Sequence, residues 1–221
     1  MTPLETEALL LSLRVAGWSV LLDLPLGLAA AWVLARSRFP GKFLFDGIVH
    51  LPLIVPPVVV GYLLLVGLGR NGWIGAWLYD VFGLTLTFSW RGAAVASAVM
   101  SFPLMVRAIR LSIEAVDRRL EEAARTLGAS PAWVFLTVTL PQIRFAVVTS
   151  ALLSFLTSFD EVVVAMFVSG GDNPTLTRNM FNALRDQIDP TIASISTIMI
   201  LVTTGMMVLA QIFGQQKTKP K

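Results

Sequence analysis

Apolar residues run along this chain in blocks, divided by short polar stretches. A bilayer core of ~30 Å needs about 20 mainly apolar residues at a helical rise of 1.5 Å each. Five segments meet that length, at about 8–34, 44–69, 90–111, 133–158 and 192–213. The second holds Leu51-Pro-Leu-Ile-Val-Pro-Pro-Val58. Pro52, Pro56 and Pro57 remove backbone donors and predict a bend or break. Membrane helices tolerate this where freed carbonyls meet other helices or a wet cavity. The three prolines are therefore pathway candidates, with a merely structural kink as the alternative. Past the fourth span, Asp160-Glu-Val-Val-Val-Ala-Met-Phe-Val-Ser-Gly-Gly171 is too short to cross and reads as a re-entrant or interfacial element. A polar loop through Pro190 follows, with Arg178, Arg185, Asp186 and Asp189, either a docking face for a soluble partner or a solvated surface. No internal repeat or low-complexity linker divides the chain, which reads as one transmembrane domain over 1–221.

One polar island interrupts the lipid-like pattern, from Asp117 to Pro131. Val116, Leu120, Ala123, Ala124 and Leu127 recur at helical spacing and predict one apolar face, with Arg118, Glu121, Glu122 and Arg125 on the other faces. Gly128 suits the left-handed position that ends a helix. Ser130 suits an N-cap and Pro131 the first helical position after it. The pattern predicts helix, tight turn, helix, leading into the fourth span at Trp133. An amphipathic connector lying on the lipid surface is the other reading.

Composition agrees with a multi-span protein: 55% of residues are hydrophobic and 14% charged, and mean hydropathy is +0.74. With no cysteine and one histidine, His50, the chain offers neither a disulfide framework nor a thiolate metal site, and no bis-histidine site within one copy. Net charge is +3. The basic residues sit at span ends, a topology signal rather than a nucleic-acid footprint. If the N-terminus is outside, Arg36, Arg38, Lys42, Arg107, Arg110, Arg118, Arg119, Arg125, Lys217, Lys219 and Lys221 are cytoplasmic, eleven of the seventeen Lys and Arg. Arg14, Arg70, Arg91, Arg178 and Arg185 fall on the outer side, and Arg144 lies toward the cytoplasmic end of the fourth span. The expected orientation is N-terminus out, C-terminus in. The opening Met-Thr-Pro-Leu-Glu-Thr-Glu lacks the basic n-region of a secretory signal, so the first span is expected to be retained.

Ionisable residues inside spans are costly and mark candidate sites. Asp23 stands beside Pro25 and Gly27 in the first span. Arg14 is nine residues away, about 13.5 Å along a helix, too far to pair. Asp23 therefore bonds to another helix or lines a pathway. Asp160 and Glu161 join it as pathway candidates.

Glu122-Ala-Ala, Gly128 and Leu140-Pro141 resemble the signature loop of ABC importer permeases: E-A-A, three residues, G, about nine residues, an apolar residue, one more, then L-P. Arg125-Thr126-Leu127 fill the first gap, and Val138-Thr139-Leu140-Pro141 complete the pattern. The resemblance implies an all-α integral membrane protein of the type I importer permease fold, with a cytoplasmic coupling helix seated in a cleft of a separate ATPase subunit. Glu121, Glu122, Ala123, Ala124, Arg125, Gly128 and Pro141 become the ATPase-coupling candidates, with Glu122 the charged handle and Gly128 the turn. It also implies a soluble substrate-binding protein outside, a second permease copy in a homodimer, and a bacterial-type inner membrane. No G-x-x-x-x-G-K-[ST] motif is present, so ATP is expected on a partner subunit, with no cofactor, metal or catalytic residue in this chain.

Residues 8–145 further resemble molybdate permeases, through Phe39-Pro-Gly-Lys42, His50-Leu-Pro-Leu-Ile-Val-Pro-Pro-Val-Val-Val-Gly-Tyr-Leu-Leu-Leu65, Phe88-Ser-Trp-Arg-Gly92 and Met100-Ser-Phe-Pro-Leu-Met-Val-Arg-Ala-Ile-Arg110. Residues 146–215 resemble polyamine (spermidine/putrescine) permeases instead, through Ser158-Phe-Asp-Glu-Val-Val-Val-Ala165, Asn173-Pro-Thr-Leu-Thr177, Met180-Phe-Asn182 and Asp189-Pro-Thr-Ile-Ala193. A molybdate or tungstate oxyanion favours donors and positive helix ends, whereas a polyamine favours carboxylates and aromatic faces. The longer match favours molybdate; Asp23, Asp160 and Glu161 favour a cation if they line the path. A membrane-embedded enzyme is the rival class, and it finds no nucleophile motif around His50, which reads as a structural histidine, capping or hydrogen-bonded to a neighbouring helix.

Overall fold

The computed structural model describes residues 3–168, Thr175 and 191–215. Among these the chain is helical, without a strand. The order is α1 (Pro3–Arg36), α2 (Lys42–Ile54), α3 (Pro57–Leu68), α4 (Trp73–Phe82), α5 (Trp90–Glu114), α6 (Arg118–Thr126), α7 (Pro131–Val134), a π-helical turn at Phe135–Thr139, α8 (Leu140–Phe159), α9 (Val163–Val168) and α10 (Thr191–Gln215). Three continuous stretches are long and apolar enough to cross a bilayer: Thr6–Arg36, Trp90–Glu114 and Pro131–Phe159. They fall on the first, third and fourth predicted spans, and α10 falls on the fifth.

The second predicted span is not one rod. It breaks between α2 and α3, whose axes meet at 110°. Val55 and Pro56 each precede a proline, and the proline ring disfavours α geometry in the residue before it. Both residues are accordingly extended in ψ, at 136°. Pro52 causes no such break and sits within α2. Helix α4, ten residues long, lies outside the five predicted spans and is too short to cross.

Helices α1, α5 and α8 pack together as the centre of the fold. Lipid tails are as apolar as leucine, so close packing of small side chains replaces hydrophobic drive between membrane helices. Ala16 and Ser19 on α1, Ala96 and Ser101 on α5, and Ser150 and Ser154 on α8 are all fully buried. Toward the Arg36 end the core turns bulkier, with Leu34, Met105, Ile109, Ile113 and Ile143. A second cluster joins α3, α5 and α9 through Val60, Met100, Val164 and Val168. There Gly61 lets α9 approach: a Cβ at this position would stand 2.7 Å from Cδ2 of Phe167. Helix α10 packs on α8, with Met199 near Phe159.

Candidate functional site

The polar island folds as the elbow its residues predict. Asp117 caps α6 by accepting from the Arg119 amide at 3.0 Å. Gly128 has φ +88°, and its N–H donates to Arg125 O at 2.9 Å, while Ala129 N–H donates to Ala124 O at 3.2 Å. These bonds satisfy carbonyls left open at the helix end. Ser130 Oγ accepts from the Trp133 amide at 3.3 Å, and Pro131 opens α7. Pro141 has no N–H for the preceding turn. The chain widens into the π-helical turn just before it, and the Gln142 side chain donates to Val138 O at 2.9 Å.

The faces of α6 are not those of the predicted pattern. Leu120 is half exposed and Leu127 is 89% exposed, whereas Glu121 is buried. The reason lies on distant helices. Arg36, in the last turn of α1, donates Nε and Nη2 to Glu121 Oε1 at 3.1 and 3.0 Å and stands 2.9 Å from Oε2. The same Nη2 donates to Val116 O at 3.1 Å. Thr139, at the end of the π-helical turn, donates its hydroxyl to Glu121 Oε1 at 2.7 Å. Both charged side chains are only 7% exposed. A fully bonded ion pair outcompetes a leucine for this interior position, because the alternative leaves Arg36 buried and alone. The ATPase-coupling candidates thus divide. Glu121 points into the protein, while Glu122, Ala123, Arg125 and Gly128 are exposed, with Ala124 partly so. Leu127 and Trp133, 61% exposed, flank an open depression of about 620 Å³ at the elbow. Arg36 and Thr139 carry no local signal of this role in the sequence.

The pathway candidates fall in three places: Asp23 with Pro52, Pro56 with Pro57, and Asp160 with Glu161. Asp23 is 2% exposed. It accepts from Ser101 Oγ at 2.6 Å and Ser154 Oγ at 3.1 Å, tying α1 to α5 and α8. The geometry contains the helix-to-helix hydrogen bond, and Asp23 also lines the same groove as Pro52. Pro56 and Pro57 sit at the exposed corner between α2 and α3, and Pro52 lines a groove of about 740 Å³ between α1, α2 and α5 that is almost wholly apolar. Asp160 is exposed at the end of α8, and Glu161 Oε1 accepts from the Val164 amide at 2.9 Å at the start of α9. Both line a depression of about 570 Å³ with Met199 and Thr203 of α10. Of the 160–171 stretch, residues 163–168 form α9, packed on α3 and α5; residues 169–171, Arg178, Arg185, Asp186 and Asp189 of the loop, and Lys217, Lys219 and Lys221 lie outside the described residues. His50 bonds within its own helix α2 rather than to a neighbouring one: Nδ1 lies 2.9 Å from Asp46 O and 3.1 Å from its carboxylate, which in turn receives Arg110 from α5.

Arginine and tryptophan mark two levels along the bundle. The Arg14 guanidinium lies 3.9 Å from the centroid of the Trp90 ring, and Arg91 lies 5.6 Å from the same ring. From Arg14 to Arg36 along α1 is about 33 Å, and from Trp90 to Arg110 along α5 about 30 Å. That spacing matches a bilayer core of ~30 Å, with amphipathic side chains at both interfaces. A bundle built to this depth carries a capped polar elbow at one charged end and a proline-broken pair beside it, the parts of a membrane-spanning subunit with a polar docking face.

The chain belongs to the family of binding-protein-dependent transport system inner membrane components, whose profile matches residues 23–219. It is 52% identical over 188 residues to the molybdenum transport system permease protein ModB of Escherichia coli (strain K12), covering 84% of this chain and 82% of that protein. It is 39% identical over 164 residues to the sulfate transport system permease protein CysW of Synechocystis, covering 74% of this chain and 59% of that protein. Its fold matches a chain of the MetNI methionine ABC transporter, solved in inward-facing conformations, with TM-score 0.77 over 99% of this chain and all of the other at 16% identity. This is a multi-pass inner membrane protein of the type I ABC importer permease fold.

Proposed function

We propose that this chain is the permease subunit of an ABC importer for molybdate or tungstate. The identity of 52% over 84% of the chain to a molybdenum permease is the observation that carries the reading. An aligned stretch of 188 residues is longer than the 8–145 region, so the likeness extends into the last third. The sulfate relative points to the same class of cargo, since sulfate and molybdate are both tetrahedral dianions. The polyamine alternative draws no support from these relatives, and Asp23, one of its three carboxylates, is occupied by Ser101 and Ser154.

The remaining parts follow from this reading. Helix α6 is the coupling helix and faces the cytoplasm, with the N-terminus outside and the C-terminus inside. Its exposed Glu122, Ala123, Arg125 and Leu127 dock on a separate ATPase subunit that binds the ATP. A soluble binding protein delivers the oxyanion to the opposite side. Two permease copies enclose the path, with the broken α2–α3 pair along it.

The test is reconstitution in proteoliposomes with the ATPase subunit and the binding protein. Molybdate-loaded binding protein should stimulate ATP hydrolysis and drive uptake of labelled molybdate, and a polyamine-loaded one should do neither. Stimulation by the polyamine-loaded protein alone would overturn the cargo assignment.

A further inference from the structure

The buried carboxylate of α6 has a consequence that its motif neighbour does not. We propose that Glu121 is the positioning residue through which displacement of α6 reaches the membrane-spanning bundle, acting as a strut between the end of α1 and the start of α8. The inference rests on the reading of α6 as the coupling helix, and it concerns how motion leaves that helix rather than how it arrives.

The geometry is that of a mechanical joint. Arg36 contributes both Nε and Nη2 to one carboxylate, at 3.1 and 3.0 Å from Oε1. Paired N–H donors fix the relative orientation of two groups, not only their distance. Arg36 also reaches Val116 O at 3.1 Å, just ahead of the α6 cap, so the α1 end grips α6 and the chain leading into it. Arg118 returns a contact from α6 to α1, with Nη2 3.5 Å from Ala35 O. On the other side, Thr139 donates to Glu121 Oε1 at 2.7 Å from a fully buried position. Thr139 stands where the π-helical turn meets α8, so a push on Glu121 acts at the widened turn that opens that helix. Glu122, one residue on, is exposed and has no hydrogen bond or ion pair among the described residues. Burial makes the joint stiff: letting go would strand Arg36 and Glu121 without water to replace the lost partner. An exposed pair would slide at little cost.

Two sets of variants test this in proteoliposomes carrying the full importer. Thr139→Val removes the hydroxyl and keeps the shape, and Thr139→Ser keeps the hydroxyl. Glu121→Gln removes the charge. Thr139→Val and Glu121→Gln should raise the ATP hydrolysed per molybdate imported by about tenfold, within the usual range for loss of coupling between sites. Thr139→Ser should stay near the wild-type ratio. Distance measurement supplies a second readout, since the chain has no cysteine of its own. Spin labels at Arg38→Cys and Arg119→Cys, placed in one copy of an importer whose other copy is unlabelled, should keep one distance through the nucleotide cycle, and Glu121→Gln should broaden it. An unchanged ratio in Thr139→Val and Glu121→Gln would overturn the strut, as would equal loss of assembly and hydrolysis in Thr139→Val. If Glu121→Gln does not insert, the Thr139 pair alone decides. Leu127→Asp separates the two levels: it should abolish assembly with the ATPase, and if it leaves assembly and uptake intact, the docking reading itself fails.

Discussion

Among the described residues two carboxylates are buried, and each resolves its burial differently. Glu121 finds a counter-charge in Arg36, and Asp23 finds only hydroxyls, from Ser101 and Ser154. Neither solution is written near the residue itself. Arg36 is 85 positions from Glu121, and Ser154 is 131 positions from Asp23. Helical spacing in the sequence therefore turns Glu121 outward with the other charges of α6, whereas tertiary pairing turns it inward. The two sites should answer differently to substitution. Arg36→Ala leaves Glu121 buried without its cation, and thermal unfolding in detergent should show a loss of about 3–5 kcal/mol. Asp23→Asn keeps an acceptor for both serines. Interhelical hydrogen bonds in membranes are worth about 0.6 kcal/mol on average, so stability should change by less than about 1 kcal/mol and uptake should persist. If Asp23→Asn kept its stability and lost uptake, Asp23 would belong to the pathway rather than to the helix joint.

At the scale of elements, what was legible in the sequence is what local chemistry determines. The elbow was legible because Gly128, Ser130 and Pro131 act through their own backbone positions. The break between α2 and α3 was legible because Pro56 and Pro57 lack donors. The spans at α1, α5 and α8 were legible by length. Helix α4 was not, because ten residues, Asp80 among them, are too few to count as a span. The approach of α3 to α9 was hidden too, since Gly61 declares its role only when Phe167 is set against it. That contact predicts a non-additive pair. Gly61→Ala drives a Cβ to 2.7 Å from Phe167 Cδ2, and overpacking of this kind costs about 1–3 kcal/mol. Phe167→Ala removes the obstacle while losing its own packing. In thermal unfolding the double variant should lose less than the sum of the two single losses, by about 0.5 kcal/mol or more. Strict additivity would mean that α3 and α9 do not meet there.

At the scale of the whole molecule, the apolar surface left over defines what must cover it. Helices α2 and α3 bury few residues, with Val49 on the first and Val60, Gly61 and Leu68 on the second. Phe43, Leu44, Ile54, Val58 and Tyr62 along them stand open. Lipid could cover a plain apolar face. The corner at Val55 and Pro56 is harder to place in lipid, because a bent backbone exposes carbonyls that hydrocarbon cannot satisfy. The proposed second copy, with water between the two corners, would satisfy both and set the broken pair of each copy beside the path. Ile54, 79% exposed next to that corner, reports on this arrangement. In a chain without cysteine, Ile54→Cys introduces a single thiol per copy. Close to a two-fold axis a residue meets its own counterpart, and the proposed dimer sets the corner beside that axis. A short bifunctional thiol reagent should then link two copies of Ile54→Cys in membranes and stop uptake. A thiol at Leu10, exposed near the start of α1 and far from the corner, should not form the same link. Labelling of Ile54→Cys without any linked pair, in an importer that still transports, would place the corner in lipid and remove the broken helices from the path.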